Sequence, residues 1–291
     1  MAQITAKQVK ELRDRTGAGM MDSKKALVES DGDIEKAIDI LKEKGVAKAA
    51  KKSGRIAAEG LAEFAFAGND AVLVEINSET DFVSSNDKFV KLVDDVTKAI
   101  LAAKPANVEE ALEAPMGEST IGKEITNLTA VIGEKITLRR FDLITKNDDE
   151  VFGAYKHNGG AIAAVATLKG DSEEAAKNVA MHVAAINPEY LNRESVPEAD
   201  LERQKEIFTK ETENEGKPAK IVPKIVQGRV NKYLSEICLV DQPYVKDSDQ
   251  TVAEYAKSTG SEVVGFTRYE VGEGIEKKQE DFAAEVQEQM K

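Results

Sequence analysis

Leu61–Asn77 reads LAEFAFAGNDAVLVEIN. Two apolar or alternating runs of strand length flank Gly68-Asn69-Asp70. Alternation suits a half-buried strand, and a Gly/Asn/Asp cluster supplies the backbone freedom a tight turn needs, so the stretch predicts a β-hairpin. About ninety residues later the pattern returns: EVFGAYKH (Glu150–His157) and AIAAVATL (Ala161–Leu168) flank Asn158-Gly159-Gly160. An amphipathic helix follows each hairpin. Phe89, Leu92, Val93, Val96 and Ile100 mark the first, capped by Asp87 or Ser85, and Ala176, Val179, Ala180 and Val183 mark the second, capped by Ser172. KITLRRFDLI (Lys135–Ile144) and EVVGFTRYEV (Glu262–Val271) supply a third strand to each. The reading is an α+β fold whose core holds two similar subdomains with antiparallel sheets.

Residues 5–45 predict three short helices. Thr5 caps the first, whose Val9 and Leu12 face inward until the glycine of RTGAG ends it. The second runs over Met21–Ser30 with Ala26 and Leu27 inward. Asp33 caps the third, where Ile34, Ala37, Ile38 and Leu41 repeat at helical spacing and Gly45 is expected to stop it. VAKAAKKSGR (Val46–Arg55) is a basic linker or a helical extension. Between the second core helix and its closing strand, two helices joined at Glu215-Gly216-Lys217-Pro218 carry a thin apolar seam of Leu201, Phe208, Ile221, Ile225 and Tyr233. They predict an antiparallel helical arm, with Pro223 kinking or delaying its second helix. Gln279–Lys291 predicts a terminal helix. The expected divisions are 1–55, 56–145, 146–190 with 240–278, the arm at 191–239, and 279–291.

The chain has 291 residues and a net charge of −13 with acid spread along it, which argues against a phosphate-tracking nucleic-acid binder or an anionic membrane surface. No run reaches the length of a bilayer span. The lone Cys238 cannot pair within the chain, and the charged start lacks a secretory apolar core, so a reducing cytoplasmic setting is expected.

Two histidines and one cysteine without CxxC or HxxxH spacing make no zinc site. VGEGIEK (Val271–Lys277) lacks the third glycine of a dinucleotide loop, and Glu273 would repel phosphate. Cys238 and His182 read as core residues, whereas His157, beside a turn, is open to a contact role. No cofactor or metal is expected, and no catalytic constellation stands out; binding is the better reading than catalysis. Two stretches suggest where. Arg13, Met20 and Met21 flank the glycine turn RTGAGMM, and the two methionines cannot both face a small core, so they either cap the bundle or meet a partner. In SETDFVSSNDKF (Ser78–Phe89), Phe82 either tucks beneath its own helix or waits for a partner to cover it.

KELRDRTGAGMMDSKKAL, TDFV, MHVAA and GFTRYEVGEGIEK, in that order along the chain, resemble the elongation factor Ts family. The resemblance implies an exchange factor for the GTPase elongation factor Tu in translation elongation, with an amino-terminal module of ubiquitin-associated type. It implies that Thr80, Asp81, Phe82 and Val83 disturb the GTPase's magnesium site, with Phe82 wedging two helices apart. It further assigns contacts to Arg13, Met20 and Met21, to Ile132 and Gly133 of the segment Ile132-Gly133-Glu134, and to His157, although the latter's motif reads YKHNG. The arm and terminal helix are implied as partner or homodimer contacts. Two other classes stand beside this one: an adaptor whose first 55 residues bind a partner alone, and an enzyme using His157 and nearby carboxylates.

Overall fold

The structure, a computed structural model, describes residues 4–276. The helix expected over Gln279–Lys291 lies outside them. The described chain mixes helices with antiparallel sheets. Its elements run α1 (Ala6–Thr16), α2 (Met20–Glu29), α3 (Ile34–Lys52), β1 (Glu59–Ala67), β2 (Asp70–Ser78), α4 (Asp81–Ser84), α5 (Asp87–Ala103) and α6 (Val108–Glu113). A small hairpin of β3 (Pro115–Met116) and β4 (Ser119–Thr120) precedes α7 (Ile121–Ile132) and β5 (Thr137–Thr145). Then come β6 (Glu150–His157), β7 (Ile162–Lys169), α8 (Glu173–Ile186), α9 (Glu198–Asn214) and α10 (Val222–Ile237). A hairpin of β8 (Pro243–Tyr244) and β9 (Asp247–Thr251), then α11 (Val252–Ser258) and β10 (Glu262–Glu270), complete the described chain. The two larger sheets have the orders β1-β2-β5 and β10-β7-β6.

The chain divides into two compact units. Among the described residues, one gathers 4–65, Val74–Leu143 and 270–276; the other holds Phe66–Leu73 and Ile144–Tyr269.

In the first unit, α1–α3 enclose Val9, Leu12, Ala26, Leu27 and Ala37. Thr5 caps α1 through a reciprocal pair with Gln8, and Asp33 accepts from the Lys36 amide at 3.1 Å to cap α3. Gly45 does not stop α3, which continues to Lys52. A Cβ added at Gly45 would lie 3.0 Å from the Ala130 methyl, so the missing side chain lets α3 and α7 approach closely. The basic stretch after it is helical extension as far as Lys52. Sequence reading passed over α6 and α7. The cap of α5 is Asn86, whose side chain accepts from the Lys88 amide at 3.0 Å, in place of the expected Asp87 or Ser85.

A buried carboxylate anchors the same unit. Glu75 on β2 is fully buried and accepts from Arg139 at 2.8 Å, Arg140 at 2.6 Å, the Gly272 amide at 2.9 Å and Asn77 at 3.1 Å. Burial alone would raise its pKa, but these donors outweigh it and hold the carboxyl below its ordinary range. Gly272 has φ +77°, and a Cβ there would fall 2.2 Å from the Ala58 carbonyl oxygen. That close approach is the use of the glycine in VGEGIEK.

In the second unit, β6 and β7 pair antiparallel from Glu150↔Lys169 to His157↔Ile162. Helix α8 lies so close to β6 that a Cβ on Gly153 would fall 2.0 Å from the Ala176 carbonyl carbon. Ala176, Val179, Ala180 and Val183 are buried there, as their spacing predicts. Helices α9 and α10 pack together through Leu201 and Phe208 of the first and Val230, Tyr233 and Leu234 of the second. Ile221 is not part of that seam. It is the exposed residue preceding α10, because Pro223 fits only the first turn and sets where the helix starts.

Candidate functional site

Thr80, Asp81, Phe82 and Val83 make the β2–α4 corner and the single turn of α4. Consecutive helical residues point about 100° apart, so one turn cannot bury all of its side chains on one face. Val83 turns inward and is 7% exposed, while Phe82 is 85% exposed. The staple reading of Phe82 is thereby excluded. Few apolar side chains of that size stand so far into water.

The turn that carries the ring is closed locally. The Val83 amide donates to Thr80 Oγ1 at 3.4 Å, and Ser84 Oγ donates to the Asp81 carbonyl at 2.8 Å. The Ser85 amide donates to the Asp81 carbonyl at 3.1 Å and the Asn86 amide to that of Val83 at 3.0 Å. From the α7–β5 loop, Glu134 takes two bonds from Thr80: its amide reaches Oε2 at 3.0 Å and its hydroxyl reaches Oε1 at 2.8 Å. Ile132 ends α7, and Gly133 caps it with φ +91°, the left-handed conformation glycine adopts freely. Ile132–Glu134 and Thr80–Val83 are therefore neighbours although they are far apart in sequence.

Arg13 lies exposed on α1, and Met20 and Met21, at the start of α2, are 58% and 64% exposed. The methionines are thus not caps of the bundle. Between them, Gly17 ends α1 with φ +69°, and a Cβ there would lie 3.3 Å from Lys88 Nζ on α5 and 3.7 Å from Val131 on α7. The glycine turn thus sits against the two helices that flank the Phe82 corner. His157, in the other unit, is the exposed last residue of β6, with the Tyr155 ring 6.3 Å away.

The remaining candidates for chemistry are structural. His182 on α8 is fully buried; its Nδ1 accepts from the Val245 amide at 3.1 Å and its Nε2 faces Gln242 Oε1 at 2.9 Å. Those partners require a neutral ring protonated at Nε2, and burial lowers its pKa. Cys238 is buried, with its thiol pushed up to about 11 by desolvation, which leaves it a poor nucleophile. Among the described residues no group of three or more His, Cys, Asp or Glu could hold a metal ion, and no helix is long and apolar enough to cross a membrane. What the arrangement offers is an exposed aromatic on a hydrogen-bonded turn and, at the start of α2, two exposed methionines, side chains that suit contact surfaces.

Sequence reading named Glu134 as part of a segment but not as the partner of Thr80. The separation of 54 residues leaves no local signal for that contact. Residues 79–273 match the family model described as Elongation factor TS. The chain is 63% identical to the elongation factor Ts of Lacticaseibacillus casei over the whole of both chains. It is also 58% identical, again over the whole of both, to the elongation factors Ts of Limosilactobacillus reuteri and Lactiplantibacillus plantarum.

Proposed function

Because the chain belongs to the elongation factor Ts family, we propose that it is a guanine-nucleotide exchange factor, which binds the GDP form of elongation factor Tu and promotes GDP release during translation elongation. The observation that carries the mechanism is the 85% exposure of Phe82 on a turn whose backbone is already ordered. In this reading the ring enters between two helices of the GTPase domain, with Asp81 as a polar contact beside it. The magnesium ion of the GTPase bridges nucleotide phosphates to protein oxygens; disturbing its site removes a large charge that held the diphosphate.

Linkage sets the requirement. A factor that prefers the nucleotide-free GTPase must weaken GDP by the same ratio. Covering one Phe supplies about 1.5–3 kcal/mol, about one to two decades. Further contacts must anchor the wedge, and Arg13, Met20, Met21, Ile132, Gly133 and His157 are assigned that role. In this reading residues 1–55 serve as the anchoring module and 191–239 as an arm for partner or self contact. No bond is made or broken, so no nucleophile or acid–base pair is required.

The test is release of a fluorescent GDP analogue from elongation factor Tu, followed by stopped flow with and without magnesium. The expected result is strong acceleration by the chain when magnesium is in excess and much less added acceleration once it is chelated. Equal acceleration in both conditions would contradict the magnesium part of the reading, and none in either would contradict exchange itself.

A further inference from the structure

We infer that Glu134 is a positioning residue for exchange: it fixes the direction in which Phe82 is presented, without touching the partner through its own carboxylate. This rests on the exchange reading above. A helix of one turn, as in α4, cannot order itself in water, because nucleation costs more than one or two hydrogen bonds return. The exposed Phe82 contributes no packing of its own. The buried Val83 gives the turn one anchor, and a second point is needed to set its angle.

Glu134 occupies that place. Its carboxylate takes both the amide and the hydroxyl proton of Thr80, at 3.0 and 2.8 Å. The Thr80 hydroxyl, its proton committed, turns a lone pair to the Val83 amide at 3.4 Å and closes α4. The brace is reciprocal. Glu79, next to Thr80, accepts from the Lys135 amide, next to Glu134, at 2.5 Å. Two loops are thus cross-linked by two carboxylates, each accepting from the other loop's backbone. The end of α3 reaches both loops: Arg55 pairs with Glu79 at 3.2 Å, and Lys52 donates to the Gly133 carbonyl. Charge-assisted bonds of this kind are stronger and more directional than neutral ones.

The consequence is specific. Removing the Glu134 carboxylate leaves Phe82 in place and the docking surfaces intact, but lets the turn rotate. Encounter with the GTPase then continues while productive insertion becomes rarer. The experiment is stopped-flow release of a fluorescent GDP analogue from elongation factor Tu as a function of factor concentration, using the full chain as parent, Phe82→Ala, Glu134→Ala and the double variant. Urea unfolding and circular dichroism of each variant report folding, and Glu134→Gln, which keeps one acceptor oxygen, serves as the milder second variant. The expected result is a maximal release rate at least about fivefold lower for Glu134→Ala, with little change in half-saturating concentration. Glu134→Gln should fall between the two, and the double variant should be no slower than Phe82→Ala alone. A carboxylate that merely stabilised the fold would lower the rate independently of Phe82, so multiplied effects in the double variant would overturn the inference. So would a parental rate for Glu134→Ala when Phe82→Ala is slow. A parental rate for Phe82→Ala would instead overturn the wedge reading on which the inference stands.

Discussion

Phe82 and Phe89 lie in one short stretch of sequence and differ completely in environment, at 85% and 0% exposure. Identical side chains therefore stand in opposite settings: one supplies core and the other stands in water. Replacing Phe89 with alanine is expected to cost about 3–5 kcal/mol of folding stability through lost burial and the cavity left behind. Replacing Phe82 with alanine should change stability by no more than about 0.5 kcal/mol. Urea unfolding of the two variants measures both, and a large loss at Phe82 would mean that the ring serves its own chain. The sequence marked Phe82 as unusual because an aromatic stood among hydroxyls and carboxylates. It left the direction of the ring open, since that depends on whether Val83 or Phe82 faces inward, and Thr80's distant partner Glu134 has a part in deciding it.

Helices and hairpins were the most legible level, because their signals are local. The caps Thr5, Asp33 and Ser172 and both large hairpins stand where their residue types place them. Gly45 was misleading for a physical reason: glycine ends helices where φ must turn positive, but it also allows two helices to touch, and here the neighbour is Ala130. Whether a glycine does one or the other depends on tertiary packing. Helix α8 carries a testable consequence of the same kind. Its His182 is buried neutral, accepting from the Val245 amide, and its folded pKa is below the ordinary 6.5. Above that value the ring is neutral in both states and costs nothing. As pH falls below it, the unfolded chain binds a proton that the folded chain refuses, so stability drops. Unfolding free energy measured from pH 7.5 to about 5 should decline more steeply for the parent than for His182→Gln. Parallel curves would show that the ring does not titrate differently on folding.

Across the molecule, the contacts that join remote segments were the least legible. Glu75 binds Arg139, Arg140 and the Gly272 amide, and the last of these lies 197 residues away. Only the folded chain reveals that Gly272 closes against Glu75 on β2. Family membership, by contrast, was readable from four motifs in order, because each is a contiguous string. The central claim is that the exposed ring promotes nucleotide release by entering another protein, and the most direct measurement is the rate at which elongation factor Tu loses a fluorescent GDP analogue to saturating Phe82→Ala factor. A folded variant that is slower than the parent by about tenfold or more is the expected result. A folded variant that matches the parent would contradict it.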